Sequence, residues 1–354
     1  MSKREDLRIV VLFSRLSGYT SKCLRVLCDR HDAEILVFRK APTNEAPFEK
    51  ALFEWIERLH DRAEFSARQI LEKTLQFTPD AIFLAGWEYR DYLKVSRSAR
   101  GREIPVVSGS DKQWRGSLRQ QIGRLIAPWY LHSAIDVLWV PGERQRQFAD
   151  RLGYRGKYCW SGYYCCDWEQ FAEVHQGQTS TGTRSFLFVG RYVREKGLDV
   201  LLDGYALYRK CVDDPWGLVC AGAGPLKPRV RGEGVVDVGF TQPNDLPKLM
   251  EQATAFVLPS RCEPWGVALQ EAAAAGLPVI CSEACGASAH LLQDGYNGRL
   301  CEAGDDQDLA RCMLQMHETQ SEHLTRMGQR SHQLSRQFTP QRWANTLARG
   351  IEEL

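Results

Sequence analysis

Short apolar runs alternate along the chain with longer stretches in which apolar residues recur at helical spacing. Eleven of these runs are rich in β-branched and aromatic residues and end at turn-forming residues, which is typical of strands. They cover residues 8–13, 34–38, 81–85, 105–108, 137–140, 157–160, 185–189, 217–221, 235–238, 255–258 and 278–281. The spacing between them predicts helices over 48–76, 198–209, 246–252, 267–275 and 307–317. The alternation predicts an α/β protein with parallel sheets, whose ligands bind at the carboxyl ends of the strands.

The alternation occurs twice along 354 residues, a length that favours two hydrophobic cores over one. The first series ends near residue 160, and the polar stretch 175–183 (HQGQTSTGT) suits a loop or linker. We therefore predict two Rossmann-like domains, residues 1–160 and 161–340, that face each other across a cleft. A proline at position 340 predicts that residues 341–354 form a terminal helix, which we assign to the first domain.

Composition narrows the classes of function. Hydrophobic residues make up 44% and charged residues 25%, which is the balance of a soluble globular protein. A net charge of +2 gives no reason to expect nucleic acid as a partner. No apolar run reaches the roughly 18 residues of a membrane span, and the N-terminus shows no signal-peptide core. We therefore expect a cytoplasmic protein.

The charge is distributed unevenly. Residues 1–175 hold 28 Lys and Arg against 23 Asp and Glu, a net charge of +5, whereas the remainder has a net charge of −3. Residues 94–124 carry eight basic and two acidic residues, and the apolar run LIAPWY follows at 125–130. Two interpretations stay open: a solvated basic face beside a buried aromatic strip, or a surface for an anionic acceptor or an anionic membrane.

The strongest candidate chemistry lies in the second half. A predicted strand ends at Gly190, Arg191 and Lys196 follow it, and a helix is predicted to begin near Gly197. Two cations at the carboxyl end of a strand can bind a diphosphate, and Arg can do so with two parallel hydrogen bonds. The same pattern also fits a group of ion pairs at a helix start. The loop that contains Gly222 (AGAGP) lets the backbone approach a ligand, although a lone G-x-G also occurs in ordinary turns.

A second stretch, residues 259–271 (PSRCEPWGVALQE), places two carboxylates around a helix start. Glu263 precedes the predicted start, where the free N–H groups of Gly266, Val267 and Ala268 can bind phosphate and sugar oxygens. Glu271 follows Glu263 by eight residues, about one turn into the helix. One carboxylate can then reach a sugar while the other binds ribose hydroxyls. Two surface acids fit poorly, because the run AAAAG after Glu271 indicates close packing, where an acid needs a polar partner.

These motifs make residues 186–309 resemble the retaining GT-B glycosyltransferases of family 4, also called glycosyltransferase group 1. The E-x7-E pair is the most specific motif, and the G-R…E-K-G segment and the G-x-G-P loop occur in the family's order. The resemblance implies that Arg191 and Lys196 hold the donor diphosphate, that Glu263 contacts the transferred sugar and that Glu271 binds the ribose. The other donor contacts that it implies are Gly190, Gly222, Phe240 and Thr241 near the base, and the helix start at Gly266, Val267 and Ala268.

The first half resembles the family less. Members often carry a glycine-rich loop after the first strand, and here the segment SRLSGYT has the single glycine Gly18. Either Gly18 approaches the donor phosphate or the segment is an ordinary β–α turn. Members also often have a His after the fourth strand, and Ser110 or Asp111 stands there instead, on the side expected to bind the acceptor.

Two patterns that suggest a metal are set aside. The twelve cysteines include no C-x-x-C pair, and Cys159, Cys165, Cys166 and His175 do not match zinc-ligand spacing. The D-Q-D triplet at 306–308 precedes a helical pattern, so we predict helix capping. The resemblance implies no cofactor and no essential metal, because two cations and a helix N-terminus would neutralise the leaving diphosphate.

The predicted function is therefore transfer of a sugar from a nucleotide-diphospho-sugar to an acceptor hydroxyl, with the anomeric configuration retained. The acceptor would be a sugar, a lipid-linked molecule or another hydroxyl compound. The main alternative is a GT-B protein that binds a nucleotide sugar without catalysis. A two-domain oxidoreductase is disfavoured because no G-x-G-x-x-G follows a strand near the N-terminus. A GT-B epimerase or phosphorylase is also weighed, and a phosphorylase would need a lysine for pyridoxal phosphate, for which we find no signal.

Overall fold

The computed structural model describes residues 6–40, 50–177 and 184–354. These residues form two compact units. Unit 1 contains the described residues up to Cys165 together with Pro340–Leu354, and unit 2 is Cys166–Thr339. The sequence predicts domain boundaries after residues 160 and 340, close to these positions.

Unit 1 is built on a seven-stranded parallel sheet. Its strands are β1 (Arg8–Leu12), β2 (Glu34–Arg39), β3 (Leu59–Asp61), β4 (Ala81–Ala85), β5 (Val106–Gly109), β6 (Val137–Val140) and β7 (Cys159–Ser161), in the order β3-β2-β1-β4-β5-β6-β7. Its helices are α1 (Gly18–His31), α2 (Ala67–Phe77), α3 (Arg90–Arg100), α4 (Leu118–Tyr130), α5 (Glu143–Arg151) and the last helix of the chain, α13 (Pro340–Glu352). Ile9–Leu12 of β1 are fully buried, as expected for a central parallel strand that is covered on both faces.

Unit 2 contains a six-stranded parallel sheet. Its strands are β8 (Ser185–Val189), β9 (Gly217–Ala221), β10 (Val235–Gly239), β11 (Ala255–Leu258), β12 (Val279–Ser282) and β13 (Gly298–Cys301), in the order β10-β9-β8-β11-β12-β13. Its helices are α6 (Trp168–Gly177), α7 (Leu198–Arg209), α8 (Leu246–Gln252), α9 (Val267–Ala274), α10 (Ser288–Leu291), α11 (Asp306–His317) and α12 (Ser321–Ser335). The eleven predicted strands are present within a few residues of their predicted bounds, and β3 and β13 are strands that the pattern did not predict.

The predicted helix over residues 48–76 is wrong. Residues 48 and 49 lie outside the described residues, and a 3-10 turn, strand β3 and a second 3-10 turn occupy most of the rest. The helix begins only at Ala67, because Ser66 caps it and exchanges hydrogen bonds with Gln69 in a capping box. Upstream of this cap, β3 extends the sheet by pairing with β2, and the side chain of Asp61 accepts a hydrogen bond from the N–H of Ala63.

The polar stretch at 175–183 is only partly described. Residues 178–183 lie outside the described residues, and residues 175–177 form the end of α6 rather than a loop. His175 stacks on His332 of α12 with ring centroids 4.3 Å apart. The predicted terminal helix is present as α13 and packs on unit 1, where the indole of Trp343 donates to the carbonyl oxygen of Tyr163 at 2.8 Å.

Helix α4 corrects the interpretation of the run at 125–130 as a buried aromatic strip. Trp129 is 77% exposed, and Ala127 is the one residue of α4 that is classed as buried. Nor do the basic residues of 94–124 form one free basic face. Arg100 is paired with Asp136 at 2.7 Å, and Lys112 is paired with Glu88 at 3.2 Å.

Candidate functional site

Four loops of unit 2 leave the carboxyl ends of neighbouring strands. They follow β8, β9, β10 and β11, which are adjacent in the sheet. Because all of these strands are parallel, the loops meet at one edge, where ligands of such sheets bind. Every predicted donor-binding residue of the second half lies in these loops or in α9, which follows β11.

The loops after β8 and β9 approach each other through glycine. The N–H of Gly190 donates to the carbonyl oxygen of Ala221 at 3.0 Å, and that of Gly222 donates to Gly239 at 2.7 Å. A Cβ atom on Gly222 would lie only 1.9 Å from the carbonyl oxygen of Gly190. This part of the edge is consequently lined by backbone, as the A-G-A-G-P pattern indicated.

The segment after β8 presents two cations. Arg191 is exposed, and its side chain makes no ion pair with any residue in the described ranges. Lys196 ends a short 3-10 turn, and Gly197 then caps α7 with a φ of +67°. A Cβ atom on Gly197 would lie 2.0 Å from the carbonyl oxygen of Pro259, so glycine permits close contact between this segment and the loop after β11.

That contact joins two of the predicted catalytic side chains. The ammonium of Lys196 donates to Oε2 of Glu263, which is buried at 6% exposure. The backbone of Glu263 is also fixed, because its carbonyl oxygen accepts from the N–H of Gly286 at 3.0 Å. A cation predicted to bind diphosphate and a carboxylate predicted to contact the sugar are thus neighbours. Burial of this carboxylate requires such a partner.

Helix α9 begins beside this pair, at the predicted position. Gly266 precedes its first residue with a φ of +103°, a conformation that L side chains rarely adopt. Val267 and Ala268 are half-buried in the first turn, where amide groups have no carbonyl partner within the helix. The site therefore combines a cation, a carboxylate and the positive end of a helix.

Glu271 lies one turn further along α9. Because it follows Val267 by four residues, the two side chains share a face of the helix. The residue as a whole is half-buried, and protein atoms surround its carboxyl group. The resulting loss of hydration raises the pKa of this carboxyl to about 7. In the described part of the chain the side chain has no hydrogen bond or ion pair, so the carboxylate keeps its full capacity to accept hydrogen bonds.

Phe240 and Thr241 follow β10 at the same edge of the sheet. The ring of Phe240 is 37% exposed, and the hydroxyl of Thr241 donates to the carbonyl oxygen of Gly239 at 3.4 Å. An exposed aromatic ring beside backbone-lined loops is a surface on which a flat ring can stack.

Unit 1 contains a second candidate site of its own. A cavity of about 530 Å³ lies at the carboxyl ends of β1, β2, β4 and β5. Its wall carries four cations against two acids, which are Arg15, Arg39, Lys40 and Lys112 against Glu88 and Asp111. An excess of positive charge in a concave site favours an anionic ligand.

The predicted acceptor-side residues Ser110 and Asp111 line this cavity. Ser110 is buried, and no described residue offers its hydroxyl a hydrogen-bond partner. Asp111 accepts a hydrogen bond from the hydroxyl of Tyr164 at 3.1 Å. Gly18 is the first residue of α1, after the cap residue Ser17, and is half-buried.

Two tyrosines of this cavity were missed by the sequence interpretation. Tyr163 lies so close to Gly109 that a Cβ atom there would be 2.1 Å from its ring, and Tyr164 contacts Asp111. Both come directly after the segment Ser161-Gly162. Their one signal in the sequence was the aromatic pair itself.

The D-Q-D triplet begins a helix, as predicted. Asp305 caps α11 by accepting from the N–H groups of Gln307 and Asp308, and Asp308 pairs with Arg311. Across residues 6–40, 50–177 and 184–354, no group of three or more His, Cys, Asp or Glu side chains is placed to hold a metal ion. No helix in these ranges is long and apolar enough to cross a membrane.

Comparisons with known proteins place part of the chain near a family of glycosyl transferases. Residues 170–334 match the model of the family described as Glycosyl transferases group 1. An uncharacterized glycosyltransferase of Methanocaldococcus jannaschii is 27% identical over 175 residues, which cover 48% of each chain. The phosphatidyl-myo-inositol mannosyltransferase of Mycobacterium leprae is 34% identical over 137 residues, 37% of this chain and 36% of that one. The chain thus spans less than half the length of these curated relatives.

Similarity of fold extends over the whole chain. The structure of Anabaena HepE in complex with UDP and glucose matches with a TM-score of 0.74 and 18% identity, over 98% of this chain and 100% of that chain. The predicted fold class, two Rossmann-like α/β domains in the GT-B arrangement of elements along the chain, is confirmed.

Proposed function

We propose that this chain, whose residues 170–334 match the model of the group 1 glycosyl transferases, moves a sugar from a nucleotide-diphospho-sugar to an acceptor hydroxyl. The product would be a glycan, glycolipid or other glycoconjugate. The observation that carries the proposal is the arrangement of Lys196, Glu263, the start of α9 and Glu271 at one edge of the unit 2 sheet. Positive, negative and hydrogen-bonding groups there complement the parts of a sugar nucleotide.

In this proposal the donor binds to unit 2. Arg191 and Lys196 bind the diphosphate, and the first-turn amides of α9 add hydrogen bonds to the same oxygens. The backbone of Gly190 and Gly222 forms the floor of this site. Glu271 accepts hydrogen bonds from the ribose hydroxyls. The remaining contacts are with the base and come from Phe240 and Thr241.

The reaction breaks the bond between the anomeric carbon and the diphosphate oxygen, and forms a bond from that carbon to the acceptor oxygen. The electron pair of the broken bond goes to the diphosphate, whose added charge Arg191 and Lys196 stabilise. The acceptor proton moves to an oxygen of the same leaving phosphate. Because attack and departure occur on one face, the configuration is retained. Glu263 orients the sugar and stabilises positive charge at the anomeric carbon.

We also propose that no metal or cofactor is required. Two cations and the positive end of a helix supply the charge that a divalent ion supplies in other transferases. The acceptor is proposed to bind in the cavity of unit 1, beside Ser110 and Asp111, with Gly18 close to the donor phosphate. The cations of that cavity favour an acceptor with an anionic group, and a lipid-linked acceptor satisfies this requirement. A cytoplasmic location completes the proposal.

The first experiment is a panel of UDP-, GDP- and ADP-sugars, scored by thermal shift and then by transfer. A true donor raises the unfolding temperature according to its affinity. With that donor, Lys196→Ala should lower turnover by roughly 100-fold or more, which is typical for loss of one electrostatic donor. Lys210→Ala, an exposed lysine elsewhere in unit 2, should leave turnover unchanged. NMR of the product should show a retained anomer, and inversion would refute the mechanism.

The K196A variant needs a check on folding, because it leaves the buried Glu263 without its cation. The double variant K196A/E263Q removes this problem and should regain thermal stability without regaining turnover. If the protein binds a nucleotide sugar tightly but transfers and hydrolyses none of it, it is a non-catalytic binding protein. If it binds no sugar nucleotide, the proposed function is wrong.

A further inference from the structure

Helix α4 of unit 1 exposes a row of large apolar side chains. Leu118 is 79% exposed, Leu125 63% and Trp129 77%. Ile122 and Ile126 are also exposed. Contiguous apolar patches on soluble proteins mark sites that bind a partner or a membrane.

The row lies on one side of the helix. Its members are spaced by three, four or seven residues, which places them along a single stripe. Ala127, which is buried, lies on the opposite side and contacts the body of unit 1. The helix therefore contacts the core of unit 1 through Ala127 and turns its large apolar residues outward, the reverse of a core helix.

The charges on α4 itself have one sign. From Lys112 to Tyr130 the sequence contains four basic residues and no acid. In the described chain, neither Arg119 nor Arg124 forms an ion pair, and both are exposed. Other cations of the 94–124 region are held by Asp136 and Glu88, so the available positive charge is concentrated on α4.

We propose that α4 docks unit 1 onto an anionic lipid bilayer. The helix would lie in the plane of the interface, with Leu118, Ile122, Leu125 and Trp129 among the acyl chains and Arg119 and Arg124 at the phosphate headgroups. This is the arrangement of amphipathic interfacial helices, in which aromatic and aliphatic residues occupy one face and Arg or Lys contact acidic lipid. The proposal names the surface of the membrane contact and does not depend on the proposed enzymatic activity.

A bilayer fits this face better than a second copy of the chain. In a symmetric dimer the same stripe meets itself, so the arginines of both copies approach one another with no acid on α4 to balance them. An anionic membrane instead supplies both an apolar phase and the missing negative charge. Each cation near such a surface strengthens binding about fivefold.

Flotation of the full chain with lipid vesicles tests the proposal. Vesicles of phosphatidylcholine with phosphatidylglycerol should bind the protein, and vesicles of phosphatidylcholine alone should bind it at least tenfold less. L125Q/W129Q should weaken binding to the acidic vesicles by about tenfold or more, since two apolar side chains leave the acyl phase. The matched control V236Q/V238Q changes two exposed valines of β10 and should bind as the wild type does.

A second pair of variants tests the charges. R119Q/R124Q should reduce binding to acidic vesicles about 25-fold and make it less sensitive to salt. R231Q/R349Q, which removes two exposed arginines elsewhere, should change binding far less. Unfolding temperatures of all variants should match the wild type, because the replaced side chains are exposed.

Three results would overturn the proposal: no binding to acidic vesicles, equal binding to both vesicle types, or full binding by L125Q/W129Q. Size-exclusion chromatography with light scattering, run without lipid, tests whether a second copy of the chain binds the stripe instead. A dimer that L125Q/W129Q converts to a monomer would assign the stripe to self-association.

Discussion

Replacing Glu271 with glutamine removes a half-buried charge that has no hydrogen bond or ion pair with the described residues of unit 2. Burial raises the pKa of this carboxyl from its usual 4.5 to about 7. At about 1.4 kcal/mol for each pKa unit, the ionised carboxylate destabilises the folded state by an amount on the order of 3 kcal/mol. We expect E271Q to be more stable than the wild type at alkaline pH, although it loses the group proposed to bind ribose.

The sign of the pH dependence follows from linkage. Between pH 4.5 and 7 the unfolded chain has released the proton of Glu271, whereas the folded chain still binds it. Wild-type stability contributed by this group is therefore complete below pH 4.5 and is lost as the pH rises through 7. The stability advantage of E271Q should be small at pH 5 and should reach its limit by pH 8.5. For a domain of this size the limit corresponds to roughly 6–12 °C in the unfolding temperature.

The assay is thermal and denaturant unfolding of both proteins across this pH range, with Glu251→Gln as the control. Glu251 is an exposed acid at the end of α8, and its replacement should leave the curve unchanged. The same samples are titrated with a nucleotide sugar, whose diphosphate keeps its charge over this range. Wild-type affinity should increase about tenfold from pH 6 to pH 8, as Glu271 ionises, and E271Q should bind weakly with little pH dependence.

Two results would contradict this reasoning. If E271Q is less stable than the wild type at pH 8.5, then the carboxylate has a stabilising partner and is not an uncompensated charge. If E271Q is more stable but binds the donor as tightly as the wild type, then the buried charge does destabilise the fold, but Glu271 does not bind the ribose.

Three further predictions concern the loops. Gly197→Ala should lower the free energy of unfolding by about 1–3 kcal/mol more than Gly239→Ala does, and urea unfolding measures the difference. Both glycines have a positive φ, but only at Gly197 would an added Cβ atom contact the backbone of another segment. Gly109→Ala should displace the ring of Tyr163 and lower kcat/KM for the acceptor on the order of tenfold, while the donor Kd is unchanged; altered donor binding would assign the cavity to the donor. Asp306→Asn should retain full activity, as should wild type treated with EDTA; loss of activity that a divalent cation restores would show a metal requirement.

Much of the fold could be predicted because parallel strands are buried on both faces and appear as continuous apolar runs. The three-residue strand β3 was not predicted, because it lies at the edge of the sheet, pairs with β2 on one side and has no continuous apolar run. Its surroundings have enough apolar residues at helical spacing to suggest one long helix. The capping box at Ser66 and Gln69 was the available signal that the helix begins later.

Within the site, the order of motifs along the chain predicted which loops would meet, because strands of a parallel sheet end at the same edge. It could not predict that Lys196 and Glu263 would pair, since the two are 67 residues apart and depend on the contact that Gly197 permits. Nor could it predict the exposure of Trp129. An amphipathic pattern identifies an apolar side of a helix, but only the tertiary structure decides whether that side is covered.

A missing partner is a better guide to a functional polar residue in this chain than residue type, although a partner does not exclude a role: Lys196 and Glu263 are paired, and both are proposed to act on the donor. Asp199 is paired with Arg261 at 3.0 Å, and Asp308 is paired with Arg311, so each of these acids has a counter-ion within the fold. In the described ranges, Glu271 has no such partner, although burial makes its charge costly. A fold keeps a group in that state against its own stability, which is expected where a ligand supplies the missing partner.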